Sequence, residues 1–395
     1  MASVLATVLC GCGTLRNRGT DWPVARGDAT ATGTSPERSL RPPLGEEWEF
    51  RPGSQLSTPV IRDGVVYVGT EQGTVYALAS GRGKIIWQTP LAALPVASMA
   101  ASEQRLYVAT QPPALFALDR HSGSKLWTWT PPYGAVGGSN DDAAGLTISD
   151  GTIYASTRNG VLAALQDRDE AKASWVKELP SGIAGGPAVA AGKLILSTLK
   201  EPALVCLDAK TGDELWRTAI AGELSAPAIY TDYNLAVVAT GAGGRIVACD
   251  LATGAQKWEF EAEGPIVGMP TLAGGLVVAV TGAPAGASRL YTIDIFNGKK
   301  VRERVLPGLP TASPVVASYT IYVPLSGNRY DYVAVSLWED KIVGAGYNDK
   351  AAGRSLCVGA HRLFLVGDGG ALGAYNALDI VTGEREIPRL RRPNE

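Results

Sequence analysis

The chain has 395 residues, 46% of them hydrophobic and 19% charged, and a formal net charge of −2. That composition can bury a large core and fits a soluble globular protein better than a disordered or membrane-embedded one. Acidic and basic residues are interspersed, and no basic stripe carries interleaved aromatics, so a nucleic-acid surface is excluded; the tail RLRRPNE (389–395) reads as a solvated end.

Residues 1–12, MASVLATVLCGC, are apolar, rich in small residues and too short to span a bilayer, which takes about 20 residues. The run Leu9–Cys12 (LCGC) resembles the lipobox of bacterial lipoproteins. That resemblance implies a signal segment over 1–12, lipid on Cys12 and a periplasm-facing place in the cell envelope. Residues 13–45 are polar and rich in Gly, Thr and Ser, and read as a tether to a domain spanning 46–395. Within them DWPVARGDATATG (21–33) resembles the leader found before the repeats of many bacterial propellers.

From residue 46 onward the sequence repeats. Small residues open a common motif at Ala77, Ala117, Ala164, Cys206, Ala248, Thr292, Ala334 and Ala377, at spacings between 40 and 47 residues. Each unit holds four short β-branched runs separated by Asp-Gly or Thr-Gly turns, as in STPVIRDGVVYVGTEQGTVYALASGRGKIIWQTP (57–90). A period near 40 to 45 with four strands per unit is the mark of a propeller blade. The chain is therefore expected to be all-β, an eight-bladed propeller of four-stranded antiparallel blades.

The motif is clearest in ACDLATGAQKW (248–258). Asp250 and Thr253 are placed to cap the turn between the third and fourth strands. Gly254 can take the left-handed conformation at little cost. Trp258 then packs on the adjacent blade, with Ala248 kept small to seat an indole. The same docking set recurs as Ala77 with Trp87, Ala117 with Trp127, and at Trp175 and Trp216. Arg302, Gly344 and Ile387 stand where the last three units should carry tryptophan, which predicts weaker contacts there. Trp48 is a ninth copy of the fourth-strand signature, so residues 46–50 are expected to complete the outer edge of blade eight.

The pattern A-x-D-x-x-T-G-x-x-x-W resembles the docking motif of the pyrroloquinoline-quinone-like β-propeller repeat family, over about residues 46 to 388. The layout is similar to that of outer-membrane assembly lipoproteins of the BamB type. The resemblance implies a non-catalytic, monomeric scaffold that binds a protein partner in the cell envelope, membrane-held through lipid, with no cofactor. Other relatives imply the alternative of a quinoprotein dehydrogenase holding pyrroloquinoline quinone with calcium, and a ligand sensor that uses the channel is a further alternative.

In a propeller the turns joining the first strand to the second (A–B) and the third to the fourth (C–D) lie on one face. Here those turns are tight and self-capped, and read as structural. The B–C and D–A connections lie on the other face and include the irregular segments 131–145, 281–289, 326–332 and 347–353. Irregular loops on a rigid scaffold are where binding residues concentrate. Tyr133, Asn140, Asp141, Arg329, Tyr330 and Asp331 are therefore the candidate exposed partner anchors. Asn140, Asp141 and Asp142 lack EF-hand spacing, and no Ser/His/Asp set, GxSxG or phosphate loop occurs. His121 and His361 read as lone surface residues, and Cys206, Cys249 and Cys357 as small buried apolar ones. Pro59, Pro187, Pro227, Pro270 and Pro314 open innermost strands, whose channel-side edge has no partner to lose.

Overall fold

A computed structural model describes residues 20–91, 96–111, 113–131, 143–282, 286–327, 330–347 and 353–378. Eight antiparallel sheets succeed one another along the chain, the first seven pairing their strands in sequence order from the channel outward. Blade 1, for example, is Val60–Arg62, Val65–Gly69, Thr74–Ala79 and Ile85–Pro90. Blade 8 takes three strands from Gly353–Gly359, Arg362–Gly367 and Ala371–Ala377. Its outermost strand is Leu44–Phe50 from the other end of the described chain, so the ring closes as expected. Among the described residues no helix is long and apolar enough to cross a membrane.

Period-2 alternation accounts for the core. Second and third strands are buried on both faces because each blade is sandwiched between two others, as in Leu235–Thr240, where all six residues are buried. Fourth strands face solvent on alternate residues. The apolar core consequently divides into clusters seated between neighbouring blades; one joins Ala248 and Trp258 of blade 5 to Val277 and Tyr291 of blade 6. Cys206, Cys249 and Cys357 are buried free thiols inside such clusters, and burial raises the pKa of each.

The tether reading fails for the part that is described. From Thr20 onward the segment forms a belt around the inside of the ring. Its backbone hydrogen-bonds in turn to blade 8 (Ala360 N to Thr20 O, 2.8 Å), blade 1 (Trp22 with Ile61, 2.9 and 2.8 Å) and blade 2 (Ala101 N to Pro23 O, 2.8 Å). It continues to blade 4 (Val189 N to Ala29 O, 2.7 Å), blade 5 (Ile229 N to Thr30 O, 2.8 Å), blade 6 (Leu272 N to Thr32 O, 2.9 Å) and blade 7 (Ser35 N to Val316 O, 2.8 Å). Trp22 and Leu40 are fully buried with blades 1, 7 and 8. The physical reason is the inner edge of the propeller: eight short first strands leave unpaired backbone groups, and a polar, turn-rich segment can satisfy them one blade at a time. These edges are therefore not partnerless, contrary to expectation.

Candidate functional site

The repeated motif builds the joints between blades. Asp250 Oδ1 accepts hydrogen bonds from the amides of Ala252 (2.9 Å) and Thr253 (3.0 Å) and from the Thr253 hydroxyl (3.1 Å), capping the turn. Gly254 has φ +75, and a Cβ there would lie 2.6 Å from the ring of Trp216 in the preceding blade. Each indole also donates to the next blade's C–D turn: Trp87 to Arg120 O (3.0 Å), Trp127 to Arg168 O (2.9 Å), Trp175 to Ala209 O (3.2 Å), Trp216 to Leu251 O (3.2 Å) and Trp258 to Ile295 O (2.7 Å). Trp48 closes the circle on Ser80 O at 2.8 Å.

The small residue has a different job from the one expected of it. Ala77, Ala117 and Ala248 stand directly across the strand pair from the indole of their own blade, whereas glycine receives the indole of the neighbour. In blade 8 the residue opposite Trp48 is Ala374, not Ala377, which pairs with Leu44. The degenerate units are partly compensated. Arg302 donates to Leu337 O (3.3 Å), the acceptor an indole would use, and Pro42 packs against Gly344. Ile387 lies outside the described residues, and Trp48 fills its role. A second interblade donor escaped the sequence reading: Thr89 to Gly123 O (2.7 Å) and Thr218 to Gly254 O (2.6 Å). The W-x-T spelling shared by 87–89 and 216–218 was its signal.

The belt bonds to the A–B ends of the first strands, so it floors the channel on that side. Arg26 reaches across the ring, donating through Nη1 to Pro314 O (3.1 Å) and through Nη2 to Thr271 Oγ1 (2.9 Å) and Pro270 O (3.4 Å). Glu37 clasps the belt's ends. Its carboxylate accepts from Thr20 Oγ1 (3.2 Å), the Ser39 amide (2.9 Å) and hydroxyl (2.6 Å), and pairs with His361 Nδ1 (3.2 Å). Burial by itself would raise its pKa, but the Ser39 hydrogen bonds and His361 outweigh that and bring it to about 2. His361 is therefore a clasp partner rather than a lone surface residue.

Above the belt lies a cavity of about 320 Å³, walled by Thr58, Ser98, Thr147, Ala226, Met269 and Ser313 among others. It exists because first strands are interrupted. Leu56, Leu224 and Ile266 pair briefly with their second strands, then the chain leaves the ladder and resumes after Pro59, Pro227 or Pro270. In blade 7 the two halves are Leu309–Pro310 and Val315–Ala317, both paired with Thr320–Ser326.

The family model described as "Outer membrane protein assembly factor BamB" matches residues 45–218, 178–235 and 203–385. The chain belongs to this family of propellers. BamB of Moranella endobia is 27% identical over 43% of this chain and 47% of its own length. Tetrathionate hydrolase of Acidithiobacillus ferrooxidans is 22% identical over 72% of this chain and 52% of its own. The chain thus spans about half the length of these curated relatives. The crystal structure of BamB from Moraxella catarrhalis superposes with a TM-score of 0.65 at 17% identity, covering 84% of this chain and 99% of that one. At that identity the likeness is one of fold.

On this BamB-family scaffold the expected anchors scatter. Tyr133, Asn140, Asp141 and Arg329, together with Cys12, lie outside the described residues. Tyr330 and Asp331 are not exposed: 9% and 1% of their surfaces are accessible. They begin the strand Tyr330–Ser336, and the ladder slips between Tyr330 and Tyr332, turning Asp331 inward onto Tyr375 Oη (3.2 Å). Burial pushes the Asp331 pKa up to about 6, and its Oδ1 has no hydrogen-bond partner. Exposed large aromatics stand instead on the A–B/C–D face of blades 5 to 7, at Tyr233, Phe296, Tyr319 and Trp338. Tyr233 and Phe296 meet edge to face at 4.1 Å. The tight-turn face is therefore less bare than the sequence suggested.

Proposed function

We propose that this propeller is a non-catalytic scaffold of the cell envelope that binds a protein partner in outer-membrane protein assembly. In this reading it acts as a monomer, is held through lipid on Cys12, faces the periplasm and presents its B–C/D–A face. The observation that carries the reading is the family match across the blades, which joins this chain to proteins described as assembly factors. The belt adds a geometric argument: it floors the channel on the A–B side and leaves the irregular connections around the other mouth. Tyr133, Asn140, Asp141 and Arg329 belong to those connections and remain the proposed anchors.

The quinoprotein alternative has weaker support. Calcium needs six to eight oxygen ligands, carboxylates and carbonyls among them. Among the described residues no group of three His, Cys, Asp or Glu is placed to hold a metal. Among the described residues the cavity wall carries one carboxylate, Asp28, and no tryptophan. The described lining therefore lends a calcium-bound quinone little support.

The test is photo-crosslinking in envelope preparations, with the probe at Tyr133 or Arg329 and, as a control, at Lys210 on the opposite face. Adducts with an outer-membrane assembly component from the first two sites only are expected. Equal labelling from Lys210, or quinone-dependent oxidation of alcohols by the purified chain, would overturn the reading.

A further inference from the structure

Arg26 is a cation that no carboxylate touches among the described residues. Its three hydrogen bonds end on neutral oxygens, two proline carbonyls and one threonine hydroxyl. Its Nε is buried without any acceptor. Surrounding it with protein lowers the pKa only to about 10, so the guanidinium stays charged at neutral pH. Two other arginines that are buried or partly buried have a carboxylate: Arg120 pairs with Asp63 at 2.7 Å and Arg105 with Asp167 at 2.9 Å. Arg26 has none within ion-pair distance among the described residues.

The cavity around it offers no compensation of its own. Asp28 is the one carboxylate of the wall among the described residues and raises the Arg26 pKa through space, but it is solvent-exposed and its Oδ1 already accepts from the amide (3.0 Å) and hydroxyl of Thr30. Arg354, the second wall cation, is engaged by Asp368. Arg26 is then the one charged group of the described wall whose partners are all neutral oxygens, in a space ringed by eight blades. Thr58, Ser98 and Ser313 are among the wall residues, and a hydroxyl is a donor that a bound oxygen can use; that of Ser313 accepts from the Met269 amide (2.8 Å), which leaves its proton to donate. Stranding a positive charge at such a place is costly unless an anion joins it, and guanidinium groups favour oxyanions through charge-assisted hydrogen bonds.

We propose that the channel cavity is a binding site for a small oxyanion, a phosphate or carboxylate group, held on the belt by Arg26 and ringed by first-strand hydroxyls. The cavity volume suits a small metabolite or inorganic ion rather than a peptide segment. Occupancy would tie the belt to blades 6 and 7 more firmly, since Arg26 already bridges Pro270 and Pro314. Anion binding in the channel does not depend on which face meets a protein partner.

The test is titration calorimetry of the full chain with inorganic phosphate in one arm and succinate in the other, in low-chloride buffer. Saturable binding in either arm identifies the group. Arg26→Gln should weaken it at least tenfold, an effect of about 1.4 kcal/mol. Should Arg26→Gln fail to fold, Ala312→Asp, which sets a fixed carboxylate on the cavity wall, should abolish binding while preserving the melting transition. No binding of either anion by the wild-type chain up to about 10 mM, or binding unchanged in a folded variant, overturns the proposal.

Discussion

Replacing Asp331 by asparagine should change the sign of its effect on stability with pH. The carboxyl is 1% exposed, accepts one hydrogen bond from Tyr375, and has its pKa raised by burial from 3.8 to about 6. A raised folded-state pKa means that the native protein holds a proton the unfolded chain releases. Stability from this group is therefore fully present below pH 4 and is lost as pH rises through 6. The full shift corresponds to about 3 kcal/mol of destabilisation above pH 7, and about 2 kcal/mol of that develops between pH 4.5 and 7.5. The carboxamide of Asp331→Asn cannot ionise. It keeps an acceptor for Tyr375 but buries an amide with no acceptor, a pH-independent cost of about 1 to 2 kcal/mol. Urea unfolding at pH 4.5 should thus find the variant slightly less stable than wild type, and at pH 7.5 about 1 kcal/mol more stable. Other titrating groups, Glu37 among them, cancel in the comparison. A difference between variant and wild type that stays constant across this range would refute the reasoning, since it would mean that Asp331 is ionised in the native ring at both pH values.

Glu37→Gln should weaken the belt clasp. The depressed pKa contributes stability that is present above pH 4.5 and lost as pH falls through about 2, so the variant should lose about 1 to 2 kcal/mol at pH 7 and little at pH 2, read by acid titration of circular dichroism. Gly254→Ala should cost more than Gly151→Ala. Both glycines have positive φ, but a Cβ at 151 meets nothing within 4 Å while one at 254 meets the Trp216 ring, which predicts about 1 kcal/mol for the first site and at least twice that for the second by urea melts. Trp258→Ala removes a buried indole and the 2.7 Å bond to Ile295 O, for a loss of about 3 to 5 kcal/mol. Trp22→Ala should cost about as much and also raise hydrogen exchange at the Ile61 and Ala101 amides, which a merely local cavity would leave protected.

Much of this was legible because propeller blades are local objects. Each blade is written in about 40 consecutive residues, with its turns spelled Asp-Gly or Thr-Gly and its alternation set by period 2, so strand count and ring closure through Trp48 could be read directly. The cap by Asp250 and the fit of Gly254 to an indole depend on residues only a few positions apart. What could not be read depends on where distant segments meet. Polarity and turn content made residues 20–43 look like a tether, because a segment that satisfies backbone edges needs no apolar periodicity of its own. Tyr330 and Asp331 sit among loop-forming residues, yet one slip of ladder register turns them into the core.

By itself the sequence determined the repeat, the blade architecture and the family, since short-range pairing rules and the indole–glycine joint are encoded within each unit. Only the tertiary structure decided that the N-terminal segment threads the ring, that proline-interrupted first strands leave a cavity, and that Arg26 stands in it with all three of its hydrogen bonds on neutral oxygens. Those features arise from closure: bringing eight first strands to one axis creates edges, space and an electrostatic field that no single repeat contains.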